Sequence, residues 1–185
     1  ITLPFALMAK STFDASVQME AYKITLENFT GSASKANVEI EKLKELASKP
    51  GLEFEGLMKA FPRMLAVGES TEKARFILEQ FGNELGRTKA KTEEIRRTFE
   101  NLPQIMSMKS LVGQETLQMS RLMHSFRSGL MSLYGTAEGK DLAKLGITGK
   151  QVIEDLAGLF AKTARAANST QNEIKNLTQE FFFLR

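Results

Sequence analysis

One histidine, no cysteine and no tryptophan occur among 185 residues, so few side chains are available for chemistry. His124 is the natural general base. Ser120 and Ser128 stand four residues either side of it, so on one helix a Ser–His pair is conceivable. A working nucleophile also needs a third group to orient the imidazole and donors for an oxyanion. Nothing in the spacing supplies either, and His124 reads as a surface or boundary residue. The carboxylate pairs Glu53/Glu55, Glu93/Glu94 and Glu154/Asp155 are no better placed. Adjacent helical residues diverge by about 100°, so they do not converge on one ion. Glu93 and Glu94 instead suit the positive end of a helix. No zinc or calcium ligand spacing is met, and no cofactor is expected. Gly135-x-x-x-Gly139-Lys140 lacks both the spacing of a phosphate loop and a strand before it.

Three features suit contacts with a partner better than catalysis. Arg87, Lys89, Lys91, Arg96 and Arg97 place five positive charges in eleven residues, broken by Glu93 and Glu94. Without interleaved aromatics this is a solvated loop or a contact surface, not a stacking platform for single strands. Met106, Met108, Met119, Met123 and Met131 cluster within 26 residues. Flexible thioethers fill irregular cores by default and also make adaptable docking surfaces, with Met119 and Met123 the best placed for that. Phe181, Phe182 and Phe183 cannot all face one side of a helix, so they pack on the core, meet a partner or lead into further chain.

Positioning any of these residues takes a folded core, which the composition permits. The chain is 42% hydrophobic and 25% charged, ordinary globular usage that excludes disordered and collagen-like polymers. A chain of this length buries about 70% of the surface it exposes when unfolded. Its formal charge is +3, with neither half a basic or acidic tail, so strong nucleic-acid binding is not expected. No apolar run approaches the roughly 20 residues a membrane span requires. Met8-Ala9-Lys10 reads like a translation start, making residues 1–7 an upstream extension.

Glycine, proline and capping residues punctuate a succession of helices. Phe13 to Met19 alternates like a strand, but Ala21, Tyr22, Ile24, Leu26 and Phe29 favour a helix over about 14–29, ended by Gly31. A second runs over about 33–48 with Val38, Leu43 and Leu46 inward. After Pro50-Gly51, Phe54, Leu57, Met58, Phe61 and Leu65 form a third, which Pro62 should kink or split. Ser70 caps a fourth, ended by Gly86; Thr92 caps a fifth, with Pro103 a second kink candidate. One helix should carry Leu117, Leu122, Met123 and Phe126, followed by a short turn from Leu130 to Gly135. Thr136 caps a small helix over 137–144, Thr148-x-x-Gln151 opens another with a capping box, and Ser169 caps the last. The expected fold is all-α, a compact irregular bundle of eight to ten mostly short helices. Its parts are a flexible extension over 1–12, a helical domain over 13–168, and a C-terminal helix over 169–185 that continues in a longer parent chain. Sub-bundles 13–87 and 92–168 would meet near Thr88–Thr92.

The order of these elements resembles the N-terminal region of tape measure proteins of tailed phages and prophages. The likeness covers about residues 22–160. It rests on Leu26-Glu27-Asn28-Phe29-Thr30-Gly31-Ser32 with Ala36, and on Leu43-Lys44-Glu45-Leu46-Ala47, Pro50, Phe54 to Leu65 and Gly68. Glu94 to Gln104 with Gly113 and Leu117 to Leu122 follow, then Tyr134-Gly135, Leu142, Leu145-Gly146-Ile147-Thr148 and Val152. Lys49-Pro50-Gly51-Leu52 departs from the family's Thr-Pro followed by an aromatic, and Pro62 is unusual. The resemblance implies a structural, non-enzymatic component of a virion tail, assembled in the bacterial host cytoplasm and involved in tail assembly and length determination. Its partners would be the tail tube, tail assembly chaperone and tip or baseplate proteins, or further copies of itself, with no small-molecule substrate and no membrane contact from this fragment. The alternative is a helical protein-interaction or DNA-binding module of a mobile genetic element.

Overall fold

In a computed structural model the backbone is described for residues 3–49, 52–111 and 114–183, and the side chains for 17–49, 52–111, 114 and 116–167. Those residues form nine helices and no strand: α1 (Leu3–Thr30), α2 (Ala33–Ala47), α3 (Phe54–Ala66), α4 (Thr71–Arg87), α5 (Thr92–Met106), α6 (Gln114–Leu122), α7 (His124–Tyr134), α8 (Gly139–Lys144) and α9 (Gly149–Phe183). The all-α bundle expected from the sequence is the observed fold. Two helices are longer than expected. Helix α1 begins at Leu3, so residues 3–12 are helical rather than an extension, and Phe13 to Met19 belong to the same helix rather than to a strand. Helix α9 runs unbroken for 35 residues. Ser169 starts nothing, because no glycine or proline between Leu159 and Phe183 stops the helix ahead of it.

Helix α3 is the centre of the bundle. Leu57, Met58, Phe61 and Met64 are fully buried, and Pro62 is buried with them. Proline removes one backbone donor, yet α3 continues through Pro62, and α5 through Pro103. Packing decides the outcome: α3 lies against α1, α2, α4 and α5, and that burial outweighs one lost hydrogen bond. Helix α4 packs on α9, where Phe81 and Phe160 meet edge to face with centroids 5.2 Å apart. Because α3 pairs with α5 and α4 with α9, one core runs from Leu26 to Phe160. The connection at Thr88–Lys91 therefore does not divide it.

Two of the expected N-caps, Ser70 and Thr148, form as read, and Ser32 caps α2 without having been singled out. Ser32 accepts from the Lys35 N–H at 3.3 Å, Ser70 from the Lys73 N–H at 3.2 Å, and Thr148 from the Gln151 N–H at 3.2 Å. Others fall differently. Lys91, not Thr92, precedes α5, and the Glu94 carboxylate accepts its N–H at 2.8 Å. Thr136 accepts from the Glu138 N–H at 3.1 Å, while α8 starts only at Gly139. The single helix expected through Leu117 and Phe126 breaks at Met123, which is extended (φ −142°) and buried.

Helix α4 does not stop at Gly86. It ends in a Schellman motif with Lys89 in the left-handed position (φ +55°), the Ala90 N–H reaching the Leu85 carbonyl at 3.0 Å. A side chain there costs about 1 kcal/mol that glycine avoids. Lys89→Gly is expected to raise Tm by about 2–4 °C, read by thermal unfolding in circular dichroism. An unchanged or lowered Tm would contradict the strain.

Candidate protein-docking surfaces

The basic segment lies at the α4–α5 corner and is largely neutralised from within. Arg87 donates to Glu84 from Nε at 2.9 Å and Nη2 at 2.6 Å. Arg96 donates to Glu93 at 2.7 and 3.0 Å and to Glu100 at 2.6 Å. Arg97 donates from Nε to the same Glu93 at 2.8 Å. Hydrogen bonds from both guanidiniums hold the Glu93 carboxyl down to about 2, and the Glu93 contact raises Arg96 further above its usual range. The sign follows: this pairing is complete above the ordinary carboxylate range and is lost only as the pH falls toward 2. Only Lys89 and Lys91 of the five are exposed with no ion pair among the described residues. The segment is thus more a helix-end lattice of charge pairs than a concentrated positive patch.

The methionines divide. Met119 and Met123 are 0% and 2% exposed and fill the core, so in this monomer neither faces a partner. Met106 is buried as well, while Met131 is 49% exposed. The side chains of Phe181, Phe182 and Phe183 lie outside the described residues, although their backbone ends α9.

His124 opens α7 and is exposed. The break at Met123 puts Ser120 on a different helix, where its hydroxyl donates to the Thr116 carbonyl at 2.7 Å. Ser128 donates to the Ser125 carbonyl at 3.3 Å. Both hydroxyls are spent on backbone, and the i−4 geometry that suggested a pair is not formed. The carboxylate pairs also part: Glu154 meets Lys73 at 2.6 Å, whereas Asp155 accepts from the Tyr134 hydroxyl at 2.6 Å. Burial, reinforced by that carboxylate, pushes the Tyr134 hydroxyl up. Among the described residues no three acidic or histidine side chains gather in a way that suits a metal ion. Among the same residues no helix is long and apolar enough to cross a membrane.

Two arrangements had no signature in the sequence. The first ties the start of α9 to the rest of the fold. Gly149 donates its N–H to the Met108 carbonyl at 3.0 Å. Lys150 reaches the Glu69 carboxylate at 2.7 Å and the Gly68 carbonyl at 3.4 Å. Lys73 bridges to Glu154 and lies 3.9 Å from Glu69, whose side chain is only 2% exposed. The second is a groove between α5 and α6, lined by Arg97, Glu100, Asn101, Gln118, Arg121 and Leu122 and about 390 Å³ in volume. Arg121 stands 24 residues beyond Arg97, so only the fold brings them together.

Apolar side chains left at the surface complete the picture. On α1, Val17 and Ile24 are each 53% exposed, and two turns apart they share a face. Phe29 and, on α2, Val38 are nearly half exposed. The chain matches no protein-family model, no curated protein and no solved structure.

Proposed function

We propose that this chain is an architectural docking module, the N-terminal helical part of a tape measure protein, working in the assembly of a phage or prophage tail. The observation that carries a protein-contacting role is the exposed apolar face of α1, with Val17 and Ile24 more than half open to solvent on a helix that already packs against α2 and α3. Large apolar side chains grouped on one exposed face mark contact surfaces more often than scattered single ones do. Support for the tail reading comes from the order of helices and turns in the sequence, including Gly31-Ser32 at the first turn and Leu145-Gly146-Ile147-Thr148 ahead of α9. The expected partners are the tail tube, tail assembly chaperone and tip or baseplate proteins, together with further copies of the chain. DNA binding has less support, because Glu84, Glu93 and Glu100 neutralise Arg87, Arg96 and Arg97.

The test is light scattering coupled to size exclusion, over a concentration series, on the chain alone and mixed with the tail-tube and assembly-chaperone proteins of the same genome. A mass above that of the monomer, in either sample, that reverts in Val17→Asp/Ile24→Asp supports the module. A monomer that ignores both tail proteins contradicts it.

A further inference from the structure

The groove between α5 and α6 has a chemistry of its own. Arg97 donates to Glu93 from Nε, and among the described residues no hydrogen bond from its two terminal nitrogens is formed. Arg121 is exposed, and among the described residues no side-chain hydrogen bond engages Arg121, Asn101 or Gln118. Two guanidiniums and two carboxamides thus line one concavity, with donors unspent. Among the described residues that line it, the one carboxylate, Glu100, is already held by Arg96 at 2.6 Å. Leu122 lines the groove, and Leu117, one turn before Arg121 on α6, is 48% exposed. Exposed Leu117 and exposed Arg121 therefore stand one turn apart on α6.

We propose that this groove seats an acidic amphipathic segment of a partner protein. Its carboxylates would bind Arg97 and Arg121, and its apolar side chains would cover Leu117 and Leu122. Guanidinium forks match carboxylates with two parallel hydrogen bonds, which sets orientation as well as affinity. A helical segment with Glu or Asp on one face and Leu on the next fits the spacing of such a groove. Nucleic acid fits less well. Glu100 would face a continuous phosphate chain, and among the described residues no aromatic side chain lines the groove to stack a base. This surface lies on other helices than the exposed face of α1, and the inference holds or fails independently of any role in a tail.

The test uses the full chain and three probes: a fluorescein-labelled synthetic helix with Glu at i and i+4 and Leu at i+3, the same peptide with Gln for Glu, and a short duplex DNA. Fluorescence anisotropy reads affinity and amide chemical shifts read location. The acidic peptide is expected to bind in a salt-sensitive way, to shift amides of 97–101 and 117–122, and to lose about tenfold or more in affinity in Arg97→Glu/Arg121→Glu. Lys89→Glu/Lys91→Glu, which changes net charge equally, should keep the binding. Equal losses in both double variants would mean diffuse attraction and overturn the proposal. So would binding of the Gln peptide as tight as the Glu peptide, or tighter binding of DNA through the same two arginines. A thermal melt checks each variant; if the double reversal does not fold, Arg121→Gln and Gln118→Ala carry the same comparison.

Discussion

Gly149→Ala is expected to lower stability by about 3 kcal/mol. A Cβ at this position would lie 1.9 Å from the Ile105 carbonyl oxygen and 3.2 Å from the Met108 carbonyl oxygen. Both obstacles are backbone, so no rotamer change relieves them. The first turn of α9 must move off the end of α5, which also stretches the 3.0 Å hydrogen bond from the Gly149 N–H to Met108. At about 2–4 °C per kcal/mol for a chain of this size, Tm should fall by about 10 °C. Gly158→Ala is the control. It sits in the same helix with nothing within 4 Å of its added Cβ, and there alanine should be neutral or stabilising. A Gly149→Ala protein that melts with the wild type would show that α9 does not dock this closely on α5.

The second large effect is Lys150→Met. Glu69 is almost completely buried, and Lys150 is its nearest counter-ion at 2.7 Å, with Lys73 more distant at 3.9 Å. Removing Lys150 leaves a buried carboxylate with weakened compensation. Breaking such a pair costs several kcal/mol at full burial, but Lys150 itself is 38% exposed, so the expected loss is about 2 kcal/mol. The asymmetry is the informative part. Glu69→Gln/Lys150→Met removes both charges and should recover at least half of the loss, since the penalty lies in the stranded carboxylate. Urea unfolding of the wild type, both single variants and the double variant closes the cycle. Strictly additive losses would mean that the two side chains are not coupled.

Much of this fold was legible because helices announce themselves. The stripe Leu57, Met58, Phe61, Leu65 and the stripe Val152, Leu156, Phe160 are buried as their spacing implies, and Ser70 and Thr148 cap where hydroxyls precede them. What was missed depends on contacts distant in sequence. Pro62 read as a break because local chemistry counts only its lost donor, whereas packing on four neighbouring helices keeps α3 continuous. Gly86 read as the end of α4, yet the left-handed residue is Lys89, a choice governed by how α4 turns into α5. Met119 and Met123 suggested a docking surface, but a break at Met123 turns both inward. The candidate site was the least legible part. The five basic residues within 87–97 hid four internal ion pairs: Arg87 with Glu84, Arg96 with Glu93 and Glu100, and Arg97 with Glu93. The Arg97–Arg121 groove and the Glu69–Lys150 contact join residues whose relation only the three-dimensional packing creates.

The proposed place of the chain in a tail can be checked by locating it in particles. An epitope tag placed in the exposed turn at Leu145–Gly146, in the genome that encodes the chain, allows gold-labelled antibody to be imaged by electron microscopy on purified phage or prophage particles. Label is expected to be confined to tails, at one end or along the lumen opened by mild disruption, and reduced after DNA ejection. Tagged protein that remains soluble in the host while intact, label-free tails assemble would contradict that place.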